Sequence, residues 1–427
     1  MRDDAEAIWT AAMRAVQPEC LVADRLSLVG AGRLLRDGQP LDPPLQLDEV
    51  DHIVVVGAGK AAAGMAAGIE RLLGPDRLTR HRVTGLMSVP AGCGRSLAAI
   101  EVRETRPAKA NLPTPAVVQA TREIMTAVSH LGPRDLVIAV ITGGGSALLA
   151  APKEGISLDE KIAVTRRLSE SGADIATLNA ARRDLSVVKG GGLARACAAG
   201  HLLVLVLSDV IGDDLDVIAS GPCMPPEPSS PPGAWTTPGG CRVQHVIVGD
   251  NGTAVAAAAA AARQAGYTLV HSVDRVGPQE ASAETVGARL VSDATELLSA
   301  ARRDGQPRAL IAGGEATVTV PADHGVGGRN QQSALAAVDA LQRTGAAWPG
   351  GLLIASVGTD GEDGPTDAAG GFADPMVIAA IERFALDVPR AMARCDAYPL
   401  LAAAGGLIRT GPTGTNVADI RIVLARP

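Results

Sequence analysis

The sequence predicts an α/β protein built from two domains. Short runs of Val, Ile and Leu recur along the 427 residues, and each run is followed by a glycine-rich or acidic turn and then by an alanine-rich helical stretch. Uninterrupted apolar strands that alternate with helices are typical of parallel sheets covered by helices on both faces. The chain is also long enough for two domains that each bury a core of their own.

Six segments follow this plan, and each is expected to contribute a strand and the turn after it. They are 52–60, 136–146, 202–213, 245–252, 308–318 and 352–364. Two helix starts support the plan, because Thr114 precedes a proline at the first helical position and Ser157 can form a capping box with Glu160. Ligands bind beyond the carboxyl ends of the strands in such sheets, so we expect the functional residues in the turns.

A proline-rich segment predicts the boundary between the domains. Residues 221–240 contain too many prolines and glycines for a helix or a central strand. We therefore expect domains at 1–240 and 241–427, with the segment acting as a linker or as a lid. The alanine run at 254–262 predicts a helix early in the second domain.

Composition and charge exclude several classes of function. The net charge is −7, the pI is about 5.6, and no stretch concentrates Lys or Arg, so nucleic acid is not an expected partner. No apolar run approaches the ~18 residues of a membrane span, and the acidic N-terminus lacks the pattern of a signal peptide. We expect a cytoplasmic protein with no membrane partner. Because aromatic residues make up only 2% of the chain, its cores must consist of Ala, Val, Leu and Ile.

The first glycine turn, VVVGAGKAAAGM at 54–65, contains the start of a dinucleotide-binding fingerprint in Gly57 and Gly59. That motif also needs an acidic residue ~20 positions further on to bind the ribose. Residues 77–81 contain none. What remains is a turn whose backbone N–H groups face an anion at a helix N-terminus, with Lys60 adding a positive charge that suits phosphate. A surface lysine on a tight turn is the alternative.

Two further glycine turns favour a polyphosphate site. The turn after the strand at 136–142 can form a nest of backbone amides, followed by a serine that can cap a helix or donate to an oxygen. The segment LSVVKGGGLAR at 185–195 again combines a lysine with three glycines. The candidate phosphate-binding residues of the three turns are Gly57, Gly59, Gly143, Gly144, Gly145, Ser146, Lys189 and Gly190.

Charged residues at other turns complete the candidate site. Asp209 and Asp360 lie just beyond two of the strands, where carboxylates can bind Mg²⁺ or act as a general base. The later acids of the same loops are expected to be solvated or to lie at helix N-termini. Arg329 follows two glycines and precedes a helix, where its charge opposes the helix dipole; this favours a function such as bracing a transferring phosphoryl group. Another glycine turn near the chain end offers Asn416.

Eight segments together resemble the class II glycerate kinases, the glycerate 2-kinase (MOFRL) family. They are VVVGAGKAAAGM, ITGGGSALL, LNAARRDLSVVKGGGLA, LSDVIGDDLDVIASGP, GGEATV, GGRNQQ, SVGTDGEDGPTDAAGG and GPTGTNVADI, in order along the chain. The resemblance implies transfer of the ATP γ-phosphoryl group to the 2-hydroxyl group of D-glycerate, giving 2-phosphoglycerate, with Mg²⁺ as a cofactor. It also implies two α/β domains, the first Rossmann-like with a mainly parallel sheet, and an active site in the cleft between them.

The resemblance implies roles for particular residues as well. Lys60 and Arg329 match the lysine and arginine that are thought to handle the phosphoryl group in the family. Asp209, Asp360 and Asn416 match further motif residues, and Asp209 or Asp360 is expected to hold the metal or to orient the 2-hydroxyl group. We expect alanine at Lys60 or Arg329 to lower turnover by orders of magnitude without unfolding the protein.

Two segments depart from the family pattern. Arg106 and Pro107 stand where family members often carry a histidine-proline pair. The region after ASGP is a short proline-rich loop, where members usually have another helix. Neither departure touches Lys60 or Arg329.

Two other functions remain open. An NAD(P)H-dependent hydroxypyruvate reductase would need a ribose-binding acid and a general acid such as histidine, and the sequence offers neither at a convincing position. A non-catalytic metabolite sensor on the same scaffold would bind its ligand without turnover. Faces rich in small residues allow a homodimer without requiring one, and the exact hydroxy acid also stays open.

Overall fold

The structure is a computed structural model that describes residues 1–108, 112–171, 175–225, 234–272 and 281–427. Its contacts divide the chain into two compact units. One unit consists of residues 17–250, which we call the first unit. The second unit consists of residues 1–16 together with residues 251–427.

The helices of the described residues are mostly the alanine-rich stretches between the strands. Helix α3 is interrupted at Gly74, and a short 3₁₀ turn covers Ile218–Ser220. The helices are α1 (Arg2–Ala15), α2 (Pro18–Arg25), α3 (Ala62–Arg80), α4 (Pro115–Ser129), α5 (Gly145–Leu148), α6 (Leu158–Glu170), α7 (Ile175–Asp184), α8 (Gly192–Ala196), α9 (Asn251–Gln264), α10 (Ala283–Asp304), α11 (Arg329–Arg343), α12 (Pro375–Arg383), α13 (Val388–Ala393) and α14 (Ala397–Ala403).

The strands form three sheets. A small antiparallel sheet has the order β1-β2-β3, and each unit contains one larger sheet. The strands are β1 (Leu26–Val29), β2 (Arg33–Arg36), β3 (Gln39–Pro40), β4 (Ile53–Ala58), β5 (Thr84–Pro90), β6 (Ile100–Arg106), β7 (Leu136–Thr142), β8 (His201–Leu207), β9 (Trp235–Thr236), β10 (Arg242–Gly249), β11 (Thr268–Ser272), β12 (Arg308–Gly314), β13 (Leu352–Gly358), β14 (Gly370–Ala373), β15 (Leu407–Ile408) and β16 (Asp419–Ala425).

The sheet of the first unit is mainly parallel, as the sequence predicts. Its order is β6-β5-β4-β7-β8-β10-β9, and every pair is parallel except the last, where β9 runs antiparallel to β10. Counted from β4, the parallel strands have the order 3-2-1-4-5-6 of the Rossmann fold. The order reverses between β4 and β7, and this switch point is where such sheets bind ligands.

Aliphatic packing holds this sheet to its helices. Every residue of β4 and β7 is buried. On one face Val117, Ile124 and Val128 of α4 pack into a core of aliphatic residues from the strands. The predicted helix starts are confirmed, since the Thr114 hydroxyl accepts from the amide of Val117 at 3.2 Å and Ser157 exchanges hydrogen bonds with Glu160. No described helix is both long and apolar enough to cross a membrane.

The sheet of the second unit is mixed, which differs from the parallel pairing that the sequence predicts. Its order is β11-β12-β16-β13-β14-β15, and among the described strands only β11 and β12 pair in parallel. Strands β12 and β13 are both antiparallel to β16, which lies between them. The sequence predicts a glycine turn at 411–420 and no strand at 419–425, where Asp419 and Arg421 interrupt the apolar run. Both side chains are nevertheless buried.

The division into units also differs from the predicted boundary at residue 240. Strand β10 pairs in parallel with β8, so the first unit extends to residue 250. Residues 1–16 belong to the second unit, where the Thr415 hydroxyl donates to the carbonyl oxygen of Val16 at 2.8 Å. Of the expected linker, residues 226–233 lie outside the described residues.

Two glycines let β4 and β7 approach closely at the switch point. A Cβ atom at Gly57 would lie 2.2 Å from the carbonyl oxygen of Val140, and one at Gly59 would lie 2.0 Å from Oγ1 of Thr142. Gly59 also has a φ of +135°, which residues with a Cβ atom rarely adopt. The end of β4 therefore requires glycine for packing, whatever binds nearby.

We predict that Gly59→Ala lowers the free energy of unfolding by about 3 kcal/mol, because the new methyl group overlaps Thr142 in an unfavourable backbone conformation. Gly240→Ala is the matched control, since its φ is +88° but its Cβ atom would have no neighbour within 4 Å. That control should lose only about 1 kcal/mol. Urea denaturation of both variants measures the difference, and equal losses would contradict the packing argument.

Candidate active site

The turn after β4 does not offer its backbone amides to a ligand, contrary to the sequence analysis. The amide of Gly59 donates to the carbonyl oxygen of Ser88 at 3.2 Å, and that of Lys60 donates to Gly143 at 3.0 Å. The amide of Ala61 donates to the Thr142 hydroxyl at 3.2 Å. Gly57 lies inside β4, within its ladders to both neighbouring strands. These bonds support a strand-packing role for Gly57 and Gly59, and the phosphate-binding roles predicted for them and for the Lys60 side chain stay predictions.

The amides of the lysine-glycine turn at 189–191 are also used within the protein. Gly190 donates to the carbonyl oxygen of Ser220 at 3.1 Å, and Gly191 donates to that of Gly221 at 2.7 Å. These bonds hold a segment in which Ala219 and Ser220 both have positive φ values, of 52° and 62°. The amide of Gly190 thus holds this strained segment, and its predicted role in binding a ligand stays a prediction.

Side chains of two predicted turns do come together. The Nζ atom of Lys189 donates to Oγ of Ser146 at 2.9 Å and to the carbonyl oxygen of Ala219 at 3.0 Å. The hydroxyl groups of Ser146 and Ser220 are 3.1 Å apart, and Ser220 also donates to Oδ1 of Asn179 at 3.0 Å. The sequence analysis predicted Ser146 and Lys189 but missed Ser220 and Asn179, although both lie in segments that resemble the family.

Gly143, Gly144 and Gly145 connect β7 to this cluster. Gly144 has a φ of +76°, which turns the chain sharply into the short helix α5. Gly145 and Ser146 are the first residues of that helix, so their amides have no partner within it. The ligand roles predicted for Gly143, Gly144 and Gly145 stay predictions.

A cavity of about 250 Å³ opens beside Ser146 and Lys189. We call it the cationic pocket. Its lining residues are Arg106, Leu112, Pro113, Gly144, Ser146, Ala147, Lys161, Ile162, Thr165, Arg182 and Lys189. Four of these side chains are basic and none is acidic. Lys161 lies on α6, Arg182 on α7 and Arg106 at the end of β6. None of these three residues was assigned a role from the sequence.

The positive charges of the cationic pocket are buried and repel one another. Lys161 and Lys189 are only 4% and 2% exposed. Burial, with the nearby charge of Arg182, lowers the pKa of Lys161 to about 8. Burial and the charges of Lys161, Arg182 and Arg183 lower the pKa of Lys189 well below its ordinary value. Burial lowers the pKa of Arg182 as well. An anion in the pocket would relieve this repulsion.

Acidic residues follow β8 and β10 in the first unit. Asp209 is half-buried, two residues beyond β8. Burial raises the pKa of Asp213. A hydrogen bond from Ser208 opposes this rise, and the charge of the neighbouring Asp250 adds to it. No group of three or more His, Cys, Asp or Glu side chains suited to a metal ion occurs among the described residues. Mg²⁺ often takes only one or two protein carboxylates, so the role predicted for Asp209 stays a prediction.

In the second unit, Arg329 is held by two carboxylates. Its Nε and Nη2 atoms donate to the two carboxylate oxygens of Asp419 at 2.7 and 3.0 Å, and its Nη1 atom contacts Glu315. Burial lowers the pKa of Arg329, but the charges of Asp419 and Glu315 outweigh that effect and raise it above its ordinary value. Because the Asp419 side chain is 0% exposed, the arginine also has a structural role that the sequence analysis did not predict.

The loop after β13 caps the helix that Arg329 begins. Asp363 accepts hydrogen bonds from the amides of Asn330 and Gln331 at 3.0 and 2.8 Å. Burial raises the pKa of Asp363 to about 6, while these two amides oppose the shift. A carboxylate at a helix N-terminus offsets the dipole, which explains how an arginine is tolerated at the first position of α11.

Asp360 and Asn416 lie on two loops of the second unit that are bonded to each other. The amide of Thr413 donates to the carbonyl oxygen of Asp360 at 3.3 Å. The hydroxyl group of Thr413 donates to the carbonyl oxygen of Thr359 at 2.6 Å. Oδ1 of Asp360 accepts from the amide of Glu362 at 3.1 Å, and Oδ1 of Asn416 accepts from that of Ala418 at 3.2 Å. The ligand roles predicted for Asp360 and Asn416 stay predictions.

Two family models match the chain. One is described as "Domain of unknown function (DUF4147)" and covers residues 4–238. The other is the MOFRL family, which covers residues 308–419. Together they include every residue that the sequence analysis placed in the candidate site.

Named relatives match over most of their length. A D-glycerate 2-kinase from Thermotoga maritima is 35% identical over 88% of this chain and 91% of its own. A solved structure of a glycerate kinase from the same organism is 31% identical, with a TM-score of 0.80 and 99% of both chains covered. A protein from Agrobacterium vitis, provisionally named a hydroxypyruvate reductase, is 36% identical over 87% of this chain and 98% of its own.

We predict that Arg329→Ala lowers the free energy of unfolding by about 3–5 kcal/mol, because Asp419 would stay buried without its partner. This differs from the expectation that alanine leaves the fold intact. Arg394→Ala is the control in the same unit, since its ion pair with Asp323 joins side chains that are 36% and 85% exposed and is worth less than about 1 kcal/mol. Equal denaturation midpoints for the two variants would exclude the structural role.

We predict that stability rises between pH 8 and 10.5 through Lys161, because its pKa is lowered from 10.5 to about 8 in the folded protein. Over that window the unfolded chain holds a proton that the folded protein has released, so the free energy of unfolding increases with pH. Lys161→Met should lose this increase, whereas Lys153→Met, which alters an exposed lysine, should keep it. Parallel pH profiles for wild type and Lys161→Met would contradict the burial of this charge.

Proposed function

The chain belongs to the class II glycerate kinase (glycerate 2-kinase, MOFRL) family, and we propose that it transfers the γ-phosphoryl group of ATP to the 2-hydroxyl group of D-glycerate, giving 2-phosphoglycerate and ADP. The observation that best supports this activity is the cationic pocket close to the switch point of the first sheet. Both substrates are anions, and the described residues that line the pocket include four basic side chains and no acidic one.

The chemistry of phosphoryl transfer suits such a site. Catalysis consists mostly of positioning and of neutralising the charge on the transferring group. Lys60 lies at the switch point, where its backbone amide is bonded to Gly143 at 3.0 Å. We assign its ammonium group to the transferring phosphoryl group. Arg329 stays the second candidate for that contact, with the stabilising role described above.

Mg²⁺ fits the donor set present. The acids near the ends of β8 and β13 are hard oxygen ligands, and Mg²⁺ completes its shell with water and phosphate oxygens. Asp209 or Asp360 would hold the ion. When bound, Mg²⁺ would neutralise charge on the nucleotide phosphates.

The name of the Agrobacterium relative makes a hydroxypyruvate reductase the second candidate. NAD needs an acidic residue at the end of the second strand of a Rossmann sheet to bind its ribose, whereas an arginine there accommodates the 2′-phosphate of NADP. That position follows β5, where residues 88–95 read SVPAGCGR and contain no acid. Residues 77–81 lie at the end of α3 instead. The lack of an acid after β5 disfavours an NADH-dependent reductase, and the arginine of this segment, Arg95, donates to Glu19 at 3.2 Å.

The experiment that tests the proposed function mixes the protein with ATP, Mg²⁺ and D-glycerate, adds enolase without phosphoglycerate mutase, and follows phosphoenolpyruvate by its ultraviolet absorbance. A rising signal supports both the activity and the 2-position. A flat trace with ADP release would mean phosphorylation of another hydroxyl group or acceptor. Consumption of NADH with hydroxypyruvate, and no ADP release, would favour the reductase.

We predict that Lys60→Met lowers kcat by about 100- to 1,000-fold, the usual cost of removing one group that stabilises a transition state. The same assay measures kcat, and a denaturation curve for each variant shows whether the fold is kept. Lys153→Met, at an exposed site, serves as the control. A near-normal rate in Lys60→Met would remove the lysine from the mechanism.

A further inference from the structure

We propose that the cationic pocket binds the carboxylate group of the small hydroxy acid, and that the phosphate groups of the nucleotide bind elsewhere. This inference rests on the proposed function, because it assigns one of the two substrates to the pocket. It revises the sequence analysis, which placed Ser146 and Lys189 on the nucleotide.

The size of the pocket favours a small ligand. Its volume is about 250 Å³, whereas sites for larger organic ligands usually occupy about 300–1,000 Å³. A three-carbon acid fits this space, whereas a whole nucleoside triphosphate would extend beyond it. The side chains of Leu112, Ala147 and Ile162 give the pocket apolar walls against which a short carbon chain can lie.

The charges of the pocket favour a carboxylate. Within the described residues, the polar atoms that Lys161, Arg182 and Lys189 contact are neutral. Lys161 donates to the carbonyl oxygen of Arg182 at 3.3 Å, Arg182 donates to Oδ1 of Asn179 at 3.2 Å, and Lys189 donates to a hydroxyl and a carbonyl group. Buried cations without a counter-charge are costly, and a bound carboxylate supplies that charge.

The backbone near the pocket argues against a triphosphate. Phosphate chains are usually cradled by several free amides in a glycine-rich nest. The amides of Gly190 and Gly191, beside Lys189, already donate to Ser220 and Gly221. The amides of Gly145 and Ser146, at the start of α5, are two donors, which is fewer than a nest around a triphosphate uses. The pocket therefore recognises its ligand mainly through side-chain ammonium and guanidinium groups, which suits a compact anion.

Lysine NMR tests the assignment directly, because the chain contains only five lysines, at 60, 109, 153, 161 and 189. The experiment adds D-glycerate to ¹³C-lysine-labelled full-length protein without nucleotide. We expect the signals of Lys161 and Lys189, identified by Lys161→Met and Lys189→Met, to shift. Glycerol, which lacks the carboxylate, should not shift them. ATP without Mg²⁺ should leave both signals in place, and shifts caused by ATP instead of D-glycerate would overturn the proposal.

Kinetics provide the second readout. Lys161→Met should raise the KM for D-glycerate by about 10- to 100-fold, as expected for the loss of one charged hydrogen bond. The KM for ATP should not change. Lys161→Arg should recover most of the loss, and Lys153→Met should behave like wild type. A rise in the KM for ATP alone would contradict the proposal.

The two proposals fail in different ways. If phosphoenolpyruvate forms but D-glycerate shifts neither lysine signal, the pocket assignment is wrong and the kinase activity stands. If D-glycerate shifts both signals but no ADP or phosphoenolpyruvate forms, the pocket assignment stands and the proposed function is wrong.

Discussion

The buried ammonium group of Lys189 connects the segments from which the candidate site of the first unit is built. It donates to the Ser146 hydroxyl at 2.9 Å and to the carbonyl oxygen of Ala219 at 3.0 Å. These residues come from turns that are distant in the sequence. Burying a charged lysine without a carboxylate partner costs free energy, and two neutral hydrogen bonds offset only part of that cost. Such an arrangement is typical of a functional site, where the ligand supplies the missing charge.

Strain in the same region supports this view. Ala219 and Ser220 both adopt left-handed backbone conformations, each of which costs about 1 kcal/mol or more for a residue with a side chain. The amide of Gly190 and the side chain of Lys189 hold the segment in this form. The glycines of the 189–191 turn thus serve the site indirectly, by fixing the segment that bonds to Lys189 and Ser146, two of the residues that line the cationic pocket. A glycine-rich turn next to a lysine is therefore not in itself evidence for a backbone phosphate cradle.

Much of the first unit could be predicted from the sequence, because each of its central parallel strands is a continuous apolar run. Such a run can be identified as a strand without knowing which strand it pairs with. The turns after those strands also led to Ser146, Lys189 and Lys60. Lys161 and Arg182 could not be predicted, since they lie on helices whose charge pattern resembles that of any solvated face. The mixed sheet of the second unit was missed because β16 carries buried charges, and the pairing of Asp419 with Arg329 across 90 residues leaves no local pattern.

The central claim is that side-chain cations of the first unit, rather than a backbone nest, bind the acid substrate. A crystal structure of the protein with D-glycerate, Mg²⁺ and ADP tests this most directly. The account predicts the carboxylate group within about 3 Å of nitrogen atoms of Lys161, Arg182 or Lys189, with the nucleotide phosphates outside the cationic pocket. Nucleotide phosphates in the pocket, or a carboxylate bound at another site, would contradict it.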